Sequence, residues 1–216
     1  MSKVDPFVMR HVSLGDEPTD ADIRIGVEVL DDGGIVAYPT DTLYGLAVDP
    51  TRDSAVKRLC QLKQRSLDSG LPLIAASLTQ VETCLGALPS LGRHLCERFW
   101  PGPLTLVFTP ENTISSGVCA ADGSVAVRVP RCLVACRLAE LSGHPITATS
   151  ANFAGVKPPS TAEGVASQLM GKIDLVLGTK GSLGGSASTI VDVRGSEPLL
   201  IRNGAIAWNC VLQSTG

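Results

Sequence analysis

"GIVAYPTDTLYGLAVDPTRDSAVKRLCQLKQR", residues 34–65, changes its hydrophobic period once, and that change sets the fold class. The first half holds two short apolar runs, "GIVAYPT" and "LYGLAVD", which read as strands flanking a polar Thr40-Asp41-Thr42 corner. The second half, "TRDSAVKRLCQLKQR", puts Ala55, Leu59 and Leu62 on one face of a helix. Strand, corner, strand, helix is the grammar of an α/β protein.

The same alternation extends both ways. Upstream, Thr19 can cap a helix through "DADIRIGVEVL", with Ile23, Val27 and Leu30 on one face and Gly33-Gly34 as the stop. Downstream come a strand "LPLIAA", two short helices over 78–100 broken near Pro89, and the strands "PLTLVF" and "SVAVRVP". A helix "LVACRLAEL" follows, with Val134, Leu138 and Leu141 at helical spacing and Gly143 as its stop. "PITATSANFAG", residues 145–155, reads as the end of a strand, and Thr161 can cap "AEGVASQLMGKI". "DLVLG", "STIVDV" and "PLLIR" are the closing strands. The expectation is a single α/β domain over 1–216, core about 20–206, built as a twisted mixed sheet with flanking helices.

Composition narrows the function classes. The chain has 216 residues, 44% of them hydrophobic, enough to bury a substantial core. A formal net charge of -3 argues against a protein that coats nucleic acid. No apolar run approaches the roughly 18 residues that cross a bilayer, and "MSKVDPFVMRHVS" lacks the apolar stretch of a signal peptide, so no membrane and a cytoplasmic location are expected. Seven cysteines, none spaced Cys-x-x-Cys, suit a reducing compartment. His11, His94 and His144 lie far apart in sequence with no carboxylate-rich neighbours, so no metal held by the protein is expected.

Several residues carry candidate chemistry. In "SVAVRVP", alternation sends Ser124, Ala126 and Arg128 to one face, with Ser124 and Arg128 separated by roughly 13 Å. One can meet one end of a ligand while the other meets a different group; the plain alternative is a surface arginine on a half-buried strand. Lys63 and Arg65, in "LKQR", can either complement the negative end of their helix or recognise phosphate. Arg202 in "LLIRNG" is a candidate third cation. The glycine-rich "GTKGSLGGSAST" can cradle an anion or simply turn, and it does not match the Walker pattern. Ser150 has no Gly-x-Ser-x-Gly elbow and no histidine partner close in sequence, which disfavours a covalent nucleophile.

The ordered segments "YPTDTLYGL", "KQR" followed by "LPLI", "SVAVRVP", "TSAN", "STIVD" and "IRNG" resemble the YrdC-like family of threonylcarbamoyl-AMP synthases over about Gly33 to Gly204. The resemblance implies a nucleotidyltransferase that joins L-threonine, bicarbonate and ATP, with Mg²⁺, into threonylcarbamoyl-AMP and pyrophosphate. Separate tRNA-modifying partner proteins would use the product on adenosine. By position, Thr40, Arg128 and Ser188 would hold threonine. Lys63, Ser124, Ser150, Asn152 and Arg202 would hold the nucleotide, and Lys63 and Arg65 would stabilise charge, with no residue acting as acid or base. Ser150 then becomes one wall of a ligand site.

The sequence departs from the family in two places. Ser66 stands where many members have proline, and "SLDSG" is expected to make that loop longer or looser. Ala75-Ala76-Ser77 occupies a stretch where many carry histidine. The resemblance is to a short, single-domain form, without the C-terminal domain of longer relatives. The competing reading is a double-stranded-RNA-binding protein of the same fold, using Lys57, Arg58, Lys63, Arg65, Arg128 and Arg131 as a basic patch.

Overall fold

Thr19 opens the first helix as its spacing predicts. In the computed structural model, which describes residues 9–112, 114–115 and 117–215, the Asp22 N–H donates to Thr19 Oγ1 at 3.3 Å. The Thr19 N–H donates to Asp22 Oδ2 at 2.9 Å, so two donors at the helix start are satisfied reciprocally. This helix, α1 (Asp20–Asp31), buries Ile23, Val27 and Leu30. Each such side chain contributes about 1.5–3 kcal/mol on leaving water. They meet Val134 and Leu138 of α5 (Leu133–Leu141) and Leu175 and Leu177 of a strand, forming the smaller of two apolar clusters. The outer residues of the expected 1–216 domain, 1–8 and 216, lie outside the described residues.

The strands divide between two mixed sheets. One has the order β1 (Arg10–Ser13), β9 (Leu175–Gly178), β2 (Val36–Tyr38), β3 (Gly45–Ala47), β8 (Thr149–Ser150). The other runs β11 (Leu199–Arg202), β10 (Thr189–Asp192), β5 (Leu104–Phe108), β6 (Val125–Arg128), β4 (Leu73–Ile74), β7 (Ile146–Thr147). Each combines parallel pairs, such as β2 with β9 and β10 with β5, with antiparallel ones. The larger apolar cluster takes residues from both sheets, among them Leu46, Val127 and Val176, and from α2 (Asp53–Leu62), α3 (Leu78–Leu85), α4 (Ser90–Phe99) and α6 (Ala162–Gln168). The α/β class read from the sequence therefore stands, with its strands split between two sheets.

The split happens inside "PITATSANFAG". Read as one extended strand, it would put Ile146, Ala148, Ser150 and Asn152 on one face. Instead Ile146–Thr147 pairs with β4 and Thr149–Ser150 pairs with β3, in different sheets. Thr147 is fully buried. Its Oγ1 accepts from the Val48 N–H at 2.9 Å and donates to Leu46 O at 3.2 Å, while Tyr38 Oη donates to Thr147 O at 3.0 Å. A buried hydroxyl must find such partners, and finding them across the sheets overrides the alternation.

Two elements lie outside the sequence reading. β1 forms because Arg10 and Leu14 donate to Asp174 O and Gly178 O along an open edge of β9. The terminal α7 (Trp208–Gln213) sends Val211 into the larger cluster, and the Ser214 carbonyl beside it meets His94 of α4.

Candidate active site

The Lys-x-Arg pair owes its geometry to the end of α2. Gln64 has φ 48, the left-handed region, and is the one non-glycine residue with positive φ among the described residues. The Arg65 N–H reaches back to Cys60 O at 2.9 Å and the Gln64 N–H to Gln61 O at 3.1 Å, the paired bonds of a Schellman turn. The turn sends Lys63 inward and leaves Arg65 half-buried at a rim.

Lys63 is buried, and its ammonium is surrounded by acceptors. Nζ donates to Ser150 O at 2.7 Å, Asn152 O at 2.6 Å and Asn152 Oδ1 at 2.7 Å. Burial, helped by the positive charge of Arg65, pushes it down to about 8. Ser150 Oγ donates to Asn152 Oδ1 at 2.5 Å. Lys63, Ser150 and Asn152 are thus one hydrogen-bonded unit, with Lys63 and Ser150 87 residues apart in sequence. Lys63 ties the Ser150 strand to the end of α2.

On the other side, the Thr-Asp-Thr corner is closed by Thr40. Its Oγ1 donates to Leu43 O at 2.6 Å and accepts from the Thr42 and Leu43 N–H groups at 3.1 and 3.2 Å. That leaves the half-buried Thr42 hydroxyl, 3.1 Å from Thr40 Oγ1, as the more open of the two. Asp41, at the tip, pairs with Nη1 of Arg128, whose side chain is only 9% exposed. Charge that deep needs a partner, and Asp41 is it. The sequence reading missed Asp41.

Ser188 sits between Thr105 and Arg202. Its hydroxyl lies 2.8 Å from Thr105 Oγ1 and accepts from Arg202 Nη2 at 3.1 Å, and its carbonyl accepts from the same nitrogen at 2.8 Å. Gly204 makes this possible: a Cβ there would collide with Ala187 O and the Ser188–Thr189 peptide. Partial removal from water and the nearby Arg128 charge push Arg202 below its usual value. Thr105 was also missed; its signal was a single hydroxyl inside the apolar run "PLTLVF".

These groups border two adjoining hollows. The first, about 270 Å³, is lined by Thr40, Thr42, Arg65, Thr105, Arg128, Ser150, Ser188 and Arg202. The second, about 340 Å³, contains Ser124 and Ala126 and shares Arg65, Pro72, Ile190 and Arg202 with the first. Arg128 therefore serves one hollow and Ser124 the other, as their spacing along β6 requires. Lys63 and Asn152 stand outside both linings and buttress Ser150. No carboxylate lines either hollow among the described residues. Three guanidiniums and a set of hydroxyls make a site for anions.

The loop after Arg65 is pinned rather than loose. Ser66 O accepts from the Ser69 N–H at 3.1 Å, and Arg65 Nη2 donates to Ser69 O at 2.9 Å. Gly70, φ 63, lets this segment lie against residues 118–120, where a Cβ would come within 2.8 Å of Ala120 N. The proposed RNA patch does not assemble as one exposed face. Lys63 and Arg128 are buried, Arg58 is held by both oxygens of Asp174 at 2.7 and 3.1 Å, and Arg131 Nε donates to Pro101 O at 3.0 Å.

A family model matches residues 28–204 of this chain. The chain belongs to the Sua5/YciO/YrdC family, which carries the description telomere recombination. A threonylcarbamoyl-AMP synthase of Pyrococcus abyssi is 37% identical over 184 residues, 85% of this chain and 54% of that protein. The crystal structure of P. abyssi Sua5 complexed with L-threonine superposes with a TM-score of 0.87 at 34% identity, covering 97% of this chain and 61% of that one. E. coli YciO shares the fold at 24% identity, with a TM-score of 0.80 over 92% of this chain and 96% of that one. The chain spans about half the length of the curated relatives it matches. The Ala75-Ala76-Ser77 stretch leads from β4 into α3: the Ala75 N–H donates to Arg128 O at 2.9 Å, and Ser77 Oγ accepts from the Gln80 N–H at 3.1 Å.

Proposed function

We propose that this chain is a threonylcarbamoyl-AMP synthase, a cytoplasmic nucleotidyltransferase joining L-threonine, bicarbonate and ATP for adenosine modification in tRNA. The observation that carries the reading is the convergence of Arg65, Arg128 and Arg202 on one hollow edged with hydroxyls and bare of carboxylates. The names of the P. abyssi relatives, a synthase and a threonine complex, support it.

The threonine carboxylate belongs at Arg128, which has donors left beyond the one given to Asp41. The Thr42, Thr105 and Ser188 hydroxyls surround the place where the substrate's own hydroxyl must be read, a task no apolar wall performs well. The threonine amine takes up carbon from bicarbonate, losing water, and becomes a carbamate. A carbamate oxygen then bonds to the α-phosphorus while the bond to pyrophosphate breaks. Both partners are anions, so Arg65 and Arg202, on the shared border of the hollows, offset the repulsion. The carbamate is already ionised, so its attack needs no protein base; positioning supplies the rate.

Because the linings offer hydroxyls and cations, the donor set fits a magnesium ion carried on the triphosphate rather than one gripped by side chains. Bound there, it would neutralise phosphate charge as pyrophosphate leaves. Tethered or separate tRNA-modifying proteins would then take the adenylate.

The test is pyrophosphate release. It should require ATP, threonine and bicarbonate together, and Arg128→Ala should remove most of it. ATP turnover indifferent to threonine would overturn the assignment.

A further inference from the structure

Ser124 enters β6 from a short loop and is one of the residues lining the second hollow. Its hydroxyl is already committed. Oγ donates to Asp122 Oδ1 at 2.6 Å, and the Ser124 N–H donates to the same oxygen at 3.0 Å. Asp122 Oδ2 accepts from Arg194 Nη1 at 2.7 Å. Arg194 is fastened in turn to Asp192, the last residue of β10: Nη2 to Oδ2 at 2.7 Å, Nε to the two oxygens at 3.0 and 3.1 Å. Strand β10 thus fixes the orientation of a hydroxyl at the hollow's wall.

The polarity of that hydroxyl follows. The Ser124 hydrogen bonds, then Arg194, hold the Asp122 carboxyl down to about 2, so it is an acceptor throughout the physiological range. An ionised carboxylate has no proton to give. The Ser124 proton therefore points at Asp122, and only Oγ lone pairs remain for a ligand. A phosphate oxygen would meet them acceptor to acceptor. An amine or hydroxyl donor would be matched.

The surroundings sort the ligand the same way. Leu71, Val107, Val118, Ala126 and Ile201 make the second hollow mostly apolar, while its cations, Arg65 and Arg202, stand on the border with the first. An apolar slot with a charged end suits a nucleoside whose phosphates lie at the arginines.

We propose that Asp122 is a specificity-determining positioning residue: by accepting the hydrogen bond of the Ser124 hydroxyl it makes the second hollow admit a nucleoside through a hydrogen-bond donor and turn away acceptor groups. This rests on the nucleotide reading above and deepens it.

Nucleotide affinity, measured by calorimetry with magnesium and without threonine, tests it. ATP is compared with inosine triphosphate, whose keto oxygen replaces the base amine, and with 2′-deoxy- and 3′-deoxy-ATP, which lack ribose donors. The wild type should bind ATP about tenfold tighter than one of these analogues, the loss expected when a buried acceptor is stranded. Which analogue is weakened identifies the donor as base or ribose. Asp122→Ala frees the hydroxyl to rotate, and the ratio should fall to about twofold or less. Ser124→Ala should erase the ratio by itself, and adding Asp122→Ala to it should change the ratio no further.

Equal binding of all four nucleotides by the wild type overturns the proposal. So does an Asp122→Ala variant that weakens every nucleotide equally, since that is a merely structural effect. Absence of any ATP binding overturns the nucleotide reading itself, and with it this inference.

Discussion

Arg128 and Asp41 face each other at the junction of β6 and the Thr-Asp-Thr corner, with side chains 9% and 16% exposed. Removing either leaves the other as a poorly hydrated charge. Arg128→Met and Asp41→Asn should each lower unfolding stability by about 3 kcal/mol. The double variant should lose less than the sum, with a coupling of about 2 kcal/mol. Urea unfolding of the four proteins measures this, and additive losses would contradict a coupled pair.

Lys63 holds three oxygens at 2.6–2.7 Å that have little access to water. Lys63→Met strands them, and a loss of about 3 kcal/mol in urea unfolding is expected. A loss below about 1 kcal/mol would mean that the oxygens find other partners.

Titration of Lys63 gives a second signature. Its value is about 8 in the folded protein against 10.5 ordinarily, so between the two the unfolded chain holds the proton more often. This group therefore adds stability as pH rises from about 8 to 10.5, and its full cost lies below about 8. Charged Lys63 holds the Ser150 strand, so turnover should decline as pH rises through about 8. A rate profile at saturating ATP measures this. A rate that stays flat through that range would contradict the need for the charged lysine.

Gln64 adopts φ 48 on the surface, at a strain of about 1–2 kcal/mol for a residue with a Cβ. Glycine removes that strain and adds about 0.5–1 kcal/mol of unfolded-chain entropy. Gln64→Gly should therefore gain about 0.5 kcal/mol with activity retained. Thermal unfolding decides it, and a clear loss would show that the Gln64 side chain has a role of its own.

The Thr105 hydroxyl lies 2.8 Å from that of Ser188, beside Arg202. Thr105→Val preserves shape and removes that bond. The threonine KM should rise about tenfold while stability changes by less than about 1 kcal/mol. An unchanged KM would remove Thr105 from the site.

What was legible in the sequence was what repeats with a period or carries a local signal. The α1 face, its Thr19 cap and the shared face of Ser124 and Arg128 all follow from spacing within a few residues. Contacts between distant residues left no such mark. Asp41 and Arg128 are 87 positions apart, and nothing near Asp41 distinguishes it from any polar corner residue. The change of sheet at Ala148 was hidden because Ile146 and Ala148 alternate with Thr147 and Thr149 as in one strand; Thr147's partners, Leu46 and Val48, lie about a hundred residues away. Short edge strand β1 exists only because β9 offers it a ladder. Lys63 enters the site by its charge at the end of a helix and Asn152 by resemblance, and burial places both behind Ser150.

The most direct measurement is mass spectrometry of the nucleotide formed from ATP, L-threonine and carbon-labelled bicarbonate. The product should be an adenylate whose mass includes threonine plus one labelled carbonyl, appearing with pyrophosphate and lost in Arg128→Ala. Label-free AMP, or an adenylate formed equally well without threonine, would contradict it.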